Sequence, residues 1–477
     1  MNSGFSEILD KVKNRHKDGL FVKRWENKSR YSILREGMPK KILIHGIPFL
    51  ITIDGKDKLQ VLKGKSILIQ DGIISEIFDS QKFSGALLKK IDLIYDAELR
   101  GGIVVTPGFV NTHAHPPMYL LRSTLTFSED NLDETLKGMA QLEGKMKEED
   151  FLLGALGDFT EQQRSGITTT LSHYGVFEPI DQAAQATKQN VINALSAVSN
   201  SHPQNSPALV EKYLKNKNHC YTQPAMAIHE LAKASPSVLK RIAQLQKKYR
   251  ALFTLHLAET KESNERCYER HHDLPVLVLE KYGLLNHLTL LSHAIHLTKR
   301  EILLIKKRKA GVIHLPTSNL LHKSGHFNYP LFHELKATDR IALGTDSVVS
   351  KSRLDLLTEA LQTKTMHQEK RIVPYEDLFN MITGQGAKII GLPKTGKIIP
   401  GFRADLAFWK LKDRGFLPYD PDQPLTLVSN MITHGGRNVR DLMINGDFVI
   451  SNRMNNLIDE SELLLQLQEA HIKLRKR

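Results

Sequence analysis

Short apolar runs broken by turn residues and longer amphipathic stretches are arranged in blocks along this chain. From Lys41 the pattern reads as strands KILIHG, PFLITI, SILIQ and IISEIF, separated by the turn pairs Asp54-Gly55 and Asp71-Gly72. The same texture returns in ADLAFWK (404–410) and DLMINGDFVI (441–450), where Asn445-Gly446 supplies the turn. A β domain assembled from both ends of the chain follows from this repetition. Between them, GIVVTPGFVNT (102–112), GITTTLSHY (166–174), ALFTLHLAET (251–260), LTLLSHA (288–294), GVIHLP (311–316) and RIALGTDS (340–347) alternate with helical stretches. That alternation indicates βα units around a parallel sheet, and roughly 290 residues of them fit a (β/α)8 TIM barrel. The predicted class is therefore α/β, with a small split β-sandwich beside the barrel.

Three helices are legible at the edges of this scheme. Phe5, Ile8, Leu9 and Val12 have helical spacing within 5–16, in what reads as an N-terminal extension. Ser235-Pro236 makes a capped start for a helix with an apolar stripe of Val238, Leu239, Ile242 and Leu245 running to Tyr249. Residues 459–475 open with Asp459 and Ser461 and read as a helix packed on the main body. The expected division is a basic extension (1–40), the composite sandwich (41–102 with 395–455), the barrel (103–394) and a C-terminal helix (456–477).

Composition changes this picture little. Of 477 residues, 41% are hydrophobic and 25% charged, an ordinary globular balance. No apolar run is long enough for a membrane span and the first residues lack a signal-peptide pattern, so a cytoplasmic protein without a membrane partner is expected. Cys220 and Cys267 are too few for a disulfide framework. The net charge of +14 would suit a polyanion, but the first 50 residues supply +6 and Lys473, Arg475, Lys476 and Arg477 supply +4. With no aromatic-and-basic motif beside it, nucleic acid is not the expected partner.

The 21 histidines change the picture more. His113 and His115 follow an apolar strand two residues apart, which places both side chains on one face, although a hydrogen-bonded structural pair has the same spacing. His256 closes FTLH with Glu259 three residues on, His293 closes LTLLSH, and Asp346 closes IALGTD. In a barrel all these strand ends face one mouth. Three imidazoles and a carboxylate suit zinc or iron(II), with an open position for water. Singly, each residue has a structural explanation: Asp346, for example, also fits a turn.

Several stretches together resemble the amidohydrolase superfamily, in the branch of S-adenosylhomocysteine and methylthioadenosine deaminases, guanine deaminases and triazine chlorohydrolases. They are Pro107-Gly-Phe-Val-Asn-Thr-His-Ala-His-Pro116, His256-Leu-Ala-Glu-Thr260, Ser292-His-Ala-Ile-His-Leu297, Pro316-Thr-Ser-Asn319 with Ser324-Gly325, Leu343-Gly-Thr-Asp346, and Gly396 to Leu406. The resemblance implies that His113, His115, His256 and Asp346 bind one divalent metal ion. It further implies Glu259 as proton shuttle, His293 as the group polarising the attacking water, and Asp346 as a partner of that water. His229 and Ser350 fall where substrate contacts are expected, and Glu143 is a stand-in for a ribose-binding acid. His173 ranks below these, and His296, His314, His322 and His326 join no constellation.

The expected activity is deamination of a purine, nucleoside or related N-heterocycle by attack of metal-bound hydroxide, with a homodimer as a common family outcome. Hydrolysis of another C–N or C–Cl bond is the near alternative, and a non-catalytic scaffold of the same fold the distant one. The chain departs from the branch around the pocket: Glu230-Leu231-Ala232 replaces Ala-Pro-Tyr, Leu315 replaces an Asn, and Lys351-Ser352 replaces an Asn pair. A Trp normally found after the His-x-His motif is absent, since Trp25 and Trp409 lie outside the expected barrel.

Overall fold

A computed structural model describes residues 3–13, 41–83, 91–122, 132–199, 201–216, 219–350, 353–413, 415–435 and 438–477. Trp25, most of the basic N-terminal segment, Lys351 and Ser352 lie outside the described residues. The N-terminal half of the small domain comprises β1 (Lys41–Ile53), β2 (Leu59–Gln70), β3 (Ile73–Asp79), β4 (Leu93–Asp96) and β5 (Ile103–Pro107). KILIHG and PFLITI, read separately in the sequence, are one strand, interrupted by a register shift between Ile44 and Ile47. Gly46 sits there at φ +65°, a backbone conformation that glycine adopts without a Cβ clash. The shift divides the pairing of β1, whose first half runs parallel to β4 and whose second half meets β5.

The stretch 102–112, read as a single strand, is also two elements. Its first half is β5, while β6 (Phe109–Ala114) opens the barrel, with Gly108 between them packed against Thr168. Seven further parallel strands follow: β7 (Ile167–Tyr174), β8 (Asn190–Ser196), β9 (Thr222–Ala227), β10 (Phe253–Leu257), β11 (Thr289–His293), β12 (Gly311–His314) and β13 (Ile341–Leu343). They form an eight-stranded sheet in sequential order, and the bridge Ala114↔Asp346 brings its two ends together. Helices cover the outside, including the expected Pro236–Tyr249, where Ser235 accepts a hydrogen bond from the Val238 amide.

The chain then returns to the small sheet through β14 (Leu406–Lys410), β15 (Asp441–Ile444), β16 (Asp447–Ser451) and β17 (Met454–Asn455). The result is a nine-stranded mixed sheet with β14 paired to β5, so both ends of the chain share one β domain. Tyr95 on β4 packs its ring 4.8 Å from Phe408 on β14 and 5.5 Å from Phe448 on β16, closing a separate core. Trp409 faces the other way, 5.8 Å from Phe109, and seals the small sheet onto the barrel.

The terminal helices dock rather than project. Val12, at the end of the helix Ser3–Val12, is fully buried, and its carbonyl accepts the Asp459 amide at 2.7 Å. At the other end, Arg477 pairs with Asp150, so part of the C-terminal charge is neutralised in place. Among the described residues no helix is long and apolar enough to cross a membrane.

Candidate active site

The C-terminal ends of the barrel strands open into a cavity of about 560 Å³. His115, His256, Glu259, His293 and Asp346 line it, and His113 lies beneath, fully buried. The backbone at these strand ends leaves the ordinary extended region. Ala258 (φ +50°), His293 (φ +70°), Ala294 (φ +50°) and Asp346 (φ +59°) are all left-handed, which is costly for residues with a Cβ. The turn at His293 breaks strand alternation, so the adjacent side chains of Ser292 and His293 both serve the site.

His115 Nε2 lies 3.2 Å from His113 Nε2, 3.3 Å from His256 Nε2 and 3.3 Å from Asp346 Oδ1. Asp346 Oδ1 is 3.6 Å from His113 Nε2. Two nitrogens bound to one zinc ion at ~2.0–2.1 Å in tetrahedral geometry are separated by about 3.3 Å, so these spacings fit a shared cation.

The opposite ring nitrogens decide the tautomers. His115 Nδ1 is 2.6 Å from the His173 carbonyl and His256 Nδ1 is 3.0 Å from the His229 carbonyl. A carbonyl only accepts, so both Nδ1 atoms carry the proton and both Nε2 atoms present lone pairs. Ser292 Oγ lies 2.9 Å from His113 Nδ1 and, as a hydroxyl, is able to accept from it.

The charge states are consistent with metal ligation. Burial pushes the His113 imidazole down to about 4, and burial with the neighbouring His173 holds His256 well below its ordinary value. Burial alone would raise the Asp346 carboxyl, but hydrogen bonds from His113 and His115 hold it well below the usual carboxylate range. For His115 burial is outweighed by the hydrogen bond and charge of Asp346, which raise the imidazole.

Around this core the remaining residues take distinct places. Ser318 donates to Asp346 Oδ2, and Ser350 does so at 3.4 Å. His293 Nδ1–H donates to Asn319 Oδ1 at 2.8 Å, leaving Nε2 3.6 Å from Glu259 Oε2. Ser324 holds the other Glu259 oxygen at 3.3 Å. Glu143 lines the cavity and accepts from His202 at 3.3 Å; that bond and others outweigh burial and keep its carboxyl low. His229 also lines the cavity, with its ring 4.8 Å from that of His256.

Sequence reasoning underrated several residues. His173 stacks on His256 at 4.7 Å and 20°, and belongs to a group with His113 and His256 whose candidate ligand atoms lie within 4.8 Å of one another. His322, which joined no constellation, lines the cavity. His314, which also joined no constellation, is buried against Phe327 at 4.4 Å. Ser292 was visible only as the neighbour of His293, and Lys233, next after Glu230-Leu231-Ala232, attracted no role.

Gly344 explains how the last strand comes so close. A Cβ there would meet N, O and Cβ of His113 at 2.9 Å. Gly344→Ala is expected to push β13 away from β6, costing about 1–3 kcal/mol of stability and reducing bound metal. A denaturant melt paired with metal analysis checks both effects.

A family model described as the amidohydrolase family matches residues 104–449. The chain belongs to the amidohydrolase family. As a member it is a hydrolase acting on carbon–nitrogen bonds in a metal-dependent family. Over 413 residues this amidohydrolase is 30% identical to a Pyrococcus furiosus protein named 5-methylthioadenosine/S-adenosylhomocysteine deaminase, covering 83% of this chain and 93% of that one. Its fold is similar to that of an adenosine deaminase from Xanthomonas campestris with bound zinc (TM-score 0.82, 21% identity, 92% of this chain and 99% of that one). A triazine hydrolase from Arthrobacter aurescens is equally similar in fold (TM-score 0.82, 18% identity, 91% and 99% covered).

Proposed function

We propose that this amidohydrolase deaminates a purine, a nucleoside or a related N-heterocycle, using one divalent ion, zinc or iron(II), held by His113, His115, His256 and Asp346. The observation that carries the reading is the pair of bare Nε2 atoms 3.3 Å apart beside an ionised carboxylate, at the floor of a cavity that also holds Glu259. Such an ion supplies Lewis acidity, lowering the pKa of a water in its open position towards ~7.

The chain's own residues then divide the work. Glu259, anchored through one oxygen by Ser324, has the other free to accept the water proton and pass it to the ring nitrogen or the leaving amine. His293, oriented by Asn319, polarises the attacking water through Nε2. Asp346 accepts a hydrogen bond from that water while Ser318 holds its second oxygen. Water adds to the amino-bearing ring carbon and ammonia leaves, so a carbonyl replaces the amine. His229, Ser350 and Glu143 contact the substrate, and a cavity of about 560 Å³ accommodates a molecule of nucleoside size.

The name of the P. furiosus relative supports an adenosine derivative carrying a 5′-sulfur substituent as the first substrate to try. An ammonia-release screen over 5-methylthioadenosine, S-adenosylhomocysteine, adenosine, guanine, cytosine, pterins and triazines, run on metal-analysed protein, tests this. Ammonia from a purine compound is the expected result. Release from triazines alone would move the activity to another ring substituent, and silence across the panel from metal-loaded protein would overturn the deaminase reading.

A further inference from the structure

Just after the residues Glu230-Leu231-Ala232, an ammonium group stands against the cavity-lining His229. Lys233 Nζ lies 3.1 Å from His229 Nδ1 and 3.6 Å from Glu230 Oε1, and lines the cavity beside the histidine. Arg266 stands 3.5 Å from the other oxygen of Glu230, so the acid is held between two cations and keeps the lysine in position. We propose that Lys233 is a positioning residue that locks His229 in the Nε2–H tautomer, so the ring offers a hydrogen-bond donor to an unprotonated ring nitrogen or carbonyl oxygen of the substrate. The proposal rests on reading this cavity as the substrate site.

The logic is one of donors and acceptors. An ammonium has three N–H donors and no lone pair, so the nitrogen it touches must accept, and His229 Nδ1 is therefore bare. A neutral imidazole with a bare Nδ1 carries its proton on Nε2. Nδ1 is the nitrogen engaged by Lys233, and the ring lines the cavity, which leaves Nε2 for the substrate. With Nδ1 accepting from the ammonium, the ring holds a single proton and is neutral.

His256, whose ring lies only 4.8 Å away, is held in the opposite state. Its Nδ1–H donates to the carbonyl of His229 itself, which leaves its Nε2 bare. Two adjacent imidazoles are thus sorted by what stands behind them. A carbonyl behind His256 makes a metal ligand, whereas an ammonium behind His229 makes a substrate donor and keeps that ring off the metal. The acceptor required of the substrate excludes ring edges that carry N–H at the contacted position.

The metal-loaded enzyme labelled with ¹⁵N-histidine provides the direct test, with the His229 resonances assigned by their loss in His229→Gln. A protonated Nε2 with a bare Nδ1 is expected, and a bare Nε2 would overturn the proposal even if the enzyme deaminates nothing. With 5-methylthioadenosine as probe, Lys233→Met is expected to raise KM about tenfold while kcat and metal content stay near the parent values. Lys233→Arg, which retains a donor, should recover most of that loss. In the double variant Lys233→Met/His229→Gln, KM should match that of His229→Gln alone. Fully multiplicative effects would show that Lys233 acts independently of His229 and would sink the idea.

Discussion

Glu259→Gln is expected to lower turnover by about 10³-fold or more while the protein keeps its metal. The glutamine is isosteric and retains an oxygen for Ser324, which lies 3.3 Å from the carboxylate, so the loop geometry is preserved. What disappears is the group that accepts a proton and gives it up again. General acid–base catalysis contributes about 10²–10⁴-fold, and the same residue is asked to act twice, on the water and on the nitrogen of the substrate. The metal should stay because Glu259 is not among the clustered candidate ligands, His113, His115, Asp346 and His173 with His256. Steady-state kinetics on protein with measured metal content checks this. A variant that loses activity and metal together would show that Glu259 supports the metal centre instead.

Chelation followed by dialysis should abolish activity, and one equivalent of zinc or iron(II) per chain should restore it. The physical reason lies in the ring nitrogens. With Nδ1 of His115 and His256 committed to carbonyls, the two Nε2 lone pairs face each other at 3.3 Å with no proton to share unless one ring becomes cationic. Burial opposes that charge on His256 and on His113. A divalent ion satisfies all the lone pairs and the Asp346 carboxylate at once, so its removal should also lower the melting temperature in a metal-concentration-dependent way. Stoichiometry by elemental analysis and a thermal melt of the two forms read the result. Folded apoprotein with undiminished activity would remove the metal from the mechanism, and restoration only at two equivalents would reject a single-ion centre.

Much of this site was legible before any coordinate. His113, His115, His256, His293 and Asp346 lie at the ends of apolar runs, with Glu259 three residues beyond one of them, and a parallel barrel sends every such terminus to one mouth. That rule needs no knowledge of contacts. It fails at residues whose role depends on what stands behind a neighbour. Ser292 looks like a strand residue pointing away from the site until the left-handed turn at His293 brings both side chains inward. His173, which ends an earlier strand, was ranked below the others, yet its ring packs on His256 and its carbonyl fixes His115.

The same division holds for the fold. Periodicity and turn pairs identified the strands, the return of β texture near the C-terminus and the helix from Pro236, because those are properties of a few consecutive residues. Periodicity could not divide 102–112 into β5 and β6, because both halves are equally apolar and differ only in which sheet they enter. The sequence by itself determined the barrel class and the identity of the chemical groups, since strand ends and ligand types are local and their convergence is a rule of the fold. Only the tertiary structure decided which nitrogen of each histidine is bare. That depends on a carbonyl or an ammonium contributed by another turn of chain, and no pattern of residue types records it.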